Sequence, residues 1–315
     1  MPPASASFPF DTLVFSGGAM EVAAFIGCLR RLEEQGEEPS SPPLAGVTTV
    51  AGTSAGAIMA LCLALGMRSA ELRRWLTVRT LECEVCRVDV DAIIQLFDTL
   101  GIDDGSGLVR FLGDMLEERL GGARDVTFGE LRRRLPARRL VVCAADIECA
   151  TPVYFHAEAT PDVSVVDAVR ASACVPFLYA PVRIGGRTYV DGGLFENLPL
   201  GFLPSKAKAE EGEGRSRCLA LRLPWSPPPP PTDMSTYAWC LASSLLRRTN
   251  ALCDACPPAG VTVLDVAEEK QKEEREGIAT FCSRSLRFCV DQKRLQGKLD
   301  MGYRVMCAFL HSRVS

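Results

Sequence analysis

The stretch Val47-Thr48-Thr49-Val50-Ala51, then Gly52-Thr53-Ser54-Ala55-Gly56, then the apolar run from Ala57 to Leu65, constrains this chain more than any other feature. A short β-branched run reads as a buried strand, and the small and apolar residues after it read as a core helix. Glycines two residues before and two after the serine remove the side chains that would collide where such a strand turns sharply into a helix. Ser54 then occupies an exposed, strained corner, and the N-terminus of the helix beneath its Oγ favours developing negative charge. Gly52, Ser54 and Gly56 thus form the motif of a nucleophile elbow. The same residues also suit an ordinary tight turn, so the partners of Ser54 decide between the two.

Strand and helix signals alternate along the chain, as in an α/β fold. Residues 12–15 form a short apolar strand running into Ser16-Gly17-Gly18, after which Val22, Phe25, Ile26, Leu29 and Leu32 recur at helical spacing. Residues 69–134 are helical in pattern, with a turn over 103–107, and are expected to form the wall or lid of a pocket. Strands are expected at 139–145, 152–155, 187–190, 218–223 and 261–266, and a helix at 163–171. The charged stretch 206–217 reads as a solvated loop. Five consecutive prolines within 225–232 read as an extended surface spacer, with a second use as a docking point for a protein partner. With 315 residues, 47% of them hydrophobic, the chain can bury a large core. The expected organisation is a disordered segment over 1–10 and a single domain over 11–315 that closes with helices over 267–311.

Several function classes are excluded on composition. A net charge of −4, without a basic stripe interleaved with aromatics, argues against nucleic-acid binding. The opening MPPASASFPF lacks the positive segment of a secretion signal, and no apolar run reaches the ~18 residues of a membrane span. A cytoplasmic location, with membrane contact only peripheral, is therefore expected. The 14 cysteines then read as reduced thiols within apolar segments. Cys83/Cys86 and Cys253/Cys256 are too far apart in sequence for a zinc ribbon, and no βαβ unit opens at Cys256-Pro257 as a thioredoxin-type motif requires. Neither a dinucleotide fingerprint nor a phosphate-binding P-loop is present. No metal and no cofactor are expected.

A serine hydroxyl needs a base. The chain has two histidines: His156, after a strand, and His311, near the C-terminus. The order Ser54, Asp191, His311 matches that of an α/β-hydrolase triad, which remains an alternative. The preferred base is Asp191, at the end of the strand Thr188-Tyr189-Val190, where Gly192-Gly193 lets the backbone turn away from the carboxylate. Partial burial would raise such a carboxyl above its reference value of about 3.9 and make it a useful base. Ser16-Gly17-Gly18-Ala19, opening a helix, offers unobstructed backbone N–H groups for an oxyanion.

Three blocks in this order resemble the patatin-like phospholipase family: "LVFSGGA" with its helix "FIGCLRRLEEQG", the elbow "GTSAGA", and "AVRASACVPFLYAPVRIGGRTYVDGGLFENLP" over 168–199. With "TFGELRRRLPARRLVVCAADI" the similarity covers residues 11–200. The resemblance implies a three-layer α/β/α fold with a central, mostly parallel sheet. It also implies a Ser54–Asp191 dyad, oxyanion donors at Gly17, Gly18 and Ala19, and metal-free hydrolysis of acyl esters at a lipid or membrane surface. The chain departs from the family pattern at Ala19, Glu21 and Val22, where the family's loop has a glycine, a basic residue and a glycine. Glu21 is expected to set a negative charge against the oxyanion, which leaves a non-catalytic lipid-binding or scaffold role as a second alternative.

Overall fold

The computed structural model describes residues 9–35, 44–75, 99–204, 217–225, 230–255, 257–267 and 292–313. Outside them lie Leu76, Cys83, Cys86, Ile93, Leu96 and Phe97, the expected loop over 206–216, most of the Pro-rich run, Cys256, and the first part of the expected C-terminal helices. The elements run β1 (Thr12–Phe15), α1 (Ala23–Glu33), β2 (Thr49–Thr53), α2 (Ala55–Ala64), α3 (Ser69–Arg74), β3 (Gly101–Asp103), α4 (Ser106–Leu120), α5 (Phe128–Arg134), β4 (Arg139–Asp146) and β5 (Thr151–Phe155). They continue with α6 (Val165–Ser172), β6 (Phe177–Tyr179), β7 (Val182–Ile184), β8 (Arg187–Asp191), β9 (Cys218–Arg222), α7 (Met234–Asp254), β10 (Val261–Asp265) and α8 (Gln292–His311). Residues 69–134 are therefore not helical throughout, because β3 interrupts them and pairs in parallel with β6.

The main sheet has the order β10-β9-β1-β2-β4-β8-β7, with β5 also on β4, and the first five of these strands are mutually parallel. Strands covered on both faces lose the polar alternation of a half-exposed strand, and β1 and nearly all of β4 are buried. Leu13, Phe15, Val50 and Val142 face one core shared with α1, α2 and α6. Val14, Ala51, Val141 and Ala220 face a smaller core closed by Leu198 and Leu200. The result is a three-layer α/β/α arrangement.

β4 fixes the position of the site. β5 pairs with Val142 to Asp146 of β4 and so fills one of its edges. Along the same length β4 also meets β2, with Thr53 opposite Cys143, and β8, with Asp191 opposite Ala144. A strand has two edges, so β2 and β8 share the remaining one end to end, one parallel to β4 and the other antiparallel. The neighbouring residues Cys143 and Ala144 thereby bring the C-terminal ends of β2 and β8 together.

Two glycines fix the outer helices. A Cβ at Gly27 of α1 would lie 2.0 Å from the Leu299 carbonyl oxygen, and one at Gly302 of α8 would lie 1.8 Å from that of Ala24. Only glycines let the two backbones approach this closely, and α8 is thereby clamped across α1. Arg138, itself buried, donates to the carbonyls of Val47 at 3.1 Å, Leu63 at 2.6 Å and Leu44 at 3.0 Å, which ties the last turn of α2 to the segment leading into β2.

Candidate active site

Ser54 stands between β2 and α2 with φ 57° and ψ −129°, a conformation that costs a non-glycine residue about 1–3 kcal/mol. The flanking glycines are required sterically. A Cβ at Gly52 would lie 2.1 Å from the Gly56 carbonyl oxygen, and one at Gly56 would lie 2.5 Å from the Ser16 carbonyl oxygen. The strain is held by a contact that sequence reasoning did not assign. The Ser54 amide donates to Ser172 Oγ at 2.9 Å, and Ser172 Oγ donates to the Cys143 carbonyl at 2.5 Å. Ser172 belongs to the Arg170-Ala-Ser segment quoted above, which was the available signal.

Asp191, at the end of β8, is buried, accepts the Gly193 amide at 2.8 Å and is hydrogen-bonded by the Ser54 side chain. Burial raises its carboxyl from 3.8 to about 6, against the lowering effect of those two hydrogen bonds. Gly192 lets the chain turn tightly here, since a Cβ there would lie 2.5 Å from the Cys143 carbonyl oxygen. Gly193 and Gly17 both border the Asn197 side chain, their ideal Cβ positions falling 3.1 Å and 2.5 Å from Asn197 Oδ1. Asn250 of α7, buried, accepts the Asn197 amide at 2.5 Å and donates to the Gly193 carbonyl at 3.0 Å, holding the turn after Asp191 in place.

The glycine loop lies against Ser54: a Cβ at Gly17 would be 3.1 Å from Ser54 Cβ. The expectation for Gly17 itself is corrected, because its amide already donates to the Asn197 carbonyl at 3.1 Å. Gly17 contributes its missing side chain, which lets the loop lie close to Ser54 and the Asn197 side chain. Ala19 takes φ 46°, the left-handed region that its lack of a glycine makes costly.

The expectation for Glu21 is also corrected. Its carboxylate is paired with Lys298 Nζ and with Arg294 at 3.5 Å, both on α8. The helix clamped at Gly27 and Gly302 thus brings two cations to Glu21. Glu21 is neutralised by these partners, where sequence reasoning had set it against the oxyanion.

Neither histidine reaches Ser54. His156 follows β5, on the far edge of β4, about two strand spacings or ~10 Å from β2. Its Nδ1 lies 2.8 Å from Glu158, which also accepts Arg139 at 2.8 Å, and burial lowers the imidazole's pKa. His311 ends α8 beside Phe309, which stacks on Phe10 ahead of β1, and Arg313, which donates to Thr262 near the start of β10 at 2.9 Å. That is the N-terminal edge of the parallel strands, roughly 15 Å of strand away from the elbow. The Ser-Asp-His alternative therefore fails on geometry. The thiols of Cys62, Cys174 and Cys218 are pushed up to about 12 by burial, which makes them inert packing groups.

A family model described as patatin-like phospholipase matches residues 13–203. The chain belongs to the patatin-like phospholipase family. It is similar to a probable lipid hydrolase, 463L, of Invertebrate iridescent virus 6, at 25% identity over 61% of this chain and 62% of the viral protein. A Bacillus subtilis protein, YqhO, is 28% identical over 62% of this chain and 67% of its own length. Among solved structures, VipD from Legionella pneumophila aligns with a TM-score of 0.45 at 15% identity, over 95% of this chain and 67% of that one. Among the described residues, no helix is long and apolar enough to cross a membrane.

Proposed function

We propose that this patatin-like chain hydrolyses acyl esters of lipids through a Ser54–Asp191 dyad and an acyl-enzyme intermediate. The observation that carries this is the buried Asp191 carboxyl, raised to about 6 and hydrogen-bonded by the hydroxyl of a serine in a strained backbone conformation. Asp191 takes the Ser54 proton as Oγ bonds to the acyl carbon, and the carbonyl oxygen becomes an oxyanion held by the amides of Gly18 and Ala19. Collapse expels the alcohol, which leaves with the proton from Asp191. Water, deprotonated by the same carboxylate, then releases the fatty acid and restores Ser54. Family membership and the similarity to a probable lipid hydrolase support lipid esters as the substrate class. In this reading the helices within 69–134 wall the acyl chain, and the whole described chain acts as one domain.

One observation favours a non-catalytic lipid-binding role instead: the Gly17 amide is committed to Asn197. Fatty-acid release from a phospholipid separates the two readings. Hydrolysis that falls by about three orders of magnitude in Ser54→Ala, and stays within a few-fold in His156→Ala and His311→Ala, supports the dyad. An unmutated protein that binds lipid and releases nothing supports the scaffold.

A further inference from the structure

Helix α7 is built inside out. Its buried positions include two polar residues, Ser243 and Asn250, while Met234, Tyr237, Leu241, Leu245 and Leu252 are exposed, Met234 to 79% and Leu245 to 71%. At 100° per residue these five side chains fall within an arc of about 80°, on the side opposite Asn250. Single exposed apolar residues are ordinary, but a continuous stripe along a long helix marks an interaction surface. Charge says what it meets. Between Asp233 and Asp254 the only charged residues are Arg247 and Arg248, in a chain whose net charge is −4. Arg248 falls within the stripe, and Arg247 lines a cavity of about 270 Å³ together with Asn250, Asn197 and Trp225. Trp225, 41% exposed, adds the aromatic group that favours the boundary between water and lipid. A second copy would offer Arg248 no carboxylate within the same stripe, whereas anionic headgroups supply the charge it lacks.

We infer that the outward face of α7 docks on an anionic lipid surface. The helix lies in the plane of the interface, with its apolar stripe toward the acyl chains and Arg248 reaching from the stripe to headgroup level. Its inward Asn250 holds Asn197 and Gly193, so docking places the turn that follows Asp191 one helix diameter, about 10 Å, behind the surface that carries the substrate. The inference rests on the lipid reading of the site, and the experiment keeps the two apart.

The test is co-sedimentation of the full chain with vesicles of phosphatidylcholine alone or mixed with phosphatidylserine, beside turnover of a water-soluble short-chain ester. The unmutated protein and Ser54→Ala are expected to bind the mixed vesicles equally. Leu241→Gln/Leu245→Gln is expected to bind at least about tenfold more weakly. Arg248→Gln is expected to lose about fivefold of its preference for phosphatidylserine. Both variants keep short-chain ester turnover and thermal midpoint, because all three side chains are exposed on the face of α7 turned away from the dyad. The inference is overturned if the unmutated protein stays in solution with both vesicles, or if the leucine variant binds as well as the parent. It is also overturned if the leucine pair dissolves a dimer, which makes a second copy the occupant. Vesicle binding without ester turnover instead overturns the hydrolase reading and leaves the docking face standing.

Discussion

Ser172 holds Ser54 from behind: one hydroxyl accepts the Ser54 amide at 2.9 Å and donates to the β4 carbonyl of Cys143 at 2.5 Å. The elbow's unfavourable φ is thus tied to the strand that also registers Asp191 opposite Ala144. Position of the nucleophile and position of the base are consequences of one strand and one buried serine.

Ser172→Ala leaves the Ser54 amide without its acceptor. An unsatisfied buried donor costs about 1–3 kcal/mol, so the thermal midpoint is expected to fall. If Ser172 positions the nucleophile, kcat on a short-chain ester falls about ten- to a hundredfold with KM unchanged. Equal loss of kcat and of folded protein, with normal kcat per folded molecule, would assign Ser172 to stability alone.

Asp191 gives a prediction of opposite sign for activity and stability. Its folded pKa of about 6 lies above the ordinary carboxyl value of 3.8, so the folded state holds this proton more tightly than the unfolded chain does. The stability that this group contributes is complete below pH ~4 and is lost as pH rises through about 6, to the extent of roughly 3 kcal/mol. Asp191→Asn removes that loss. At pH 7 the variant is expected to melt higher than the parent while its kcat falls by several orders of magnitude, and at pH 4 the two midpoints converge. Calorimetry across this pH range checks it, and an Asn variant that melts lower at every pH contradicts the buried-carboxylate account.

Glu21→Arg tests the electrostatics of the loop. The new cation faces Lys298 and Arg294, and the Lys298 side chain is only 14% exposed. The variant is expected to lose about 1–2 kcal/mol of stability and to gain nothing in kcat. Glu21→Arg/Lys298→Glu is expected to recover most of that loss in a double-mutant cycle. A faster single variant of undiminished stability would show that Glu21 acts on the oxyanion after all.

Much of the fold was legible in the residues, because strong local patterns coincide with buried elements. The strands at 12–15, 139–146, 187–191 and 218–222 and the elbow helix are short apolar runs bounded by glycine or charge, and they form where the pattern puts them. β3 and β6 were not legible, since three residues carry no periodicity. Helix α7 escaped because Ser243 and Asn250 are buried while Met234, Tyr237, Leu241, Leu245 and Leu252 are exposed, the reverse of the pattern that announces a core helix. In the site, Ser54 and Asp191 stood out by their glycines. Ser172, Asn250 and Lys298 did not, because their partners are distant in sequence: Ser54 and Ser172 are 118 residues apart, and Asn197 and Asn250 are 53.

The most direct test of the Ser54–Asp191 dyad is the rate at which a fluorophosphonate modifies the folded protein, followed by peptide mass spectrometry from pH 4 to pH 9. The account predicts a single adduct on Ser54, absent in Ser54→Ala. The labelling rate is expected to rise with pH along a titration centred near 6, the value of the Asp191 carboxyl, and to collapse in Asp191→Asn. Absence of an adduct in folded protein, or labelling that Asp191→Asn leaves unchanged in rate and pH dependence, would contradict it.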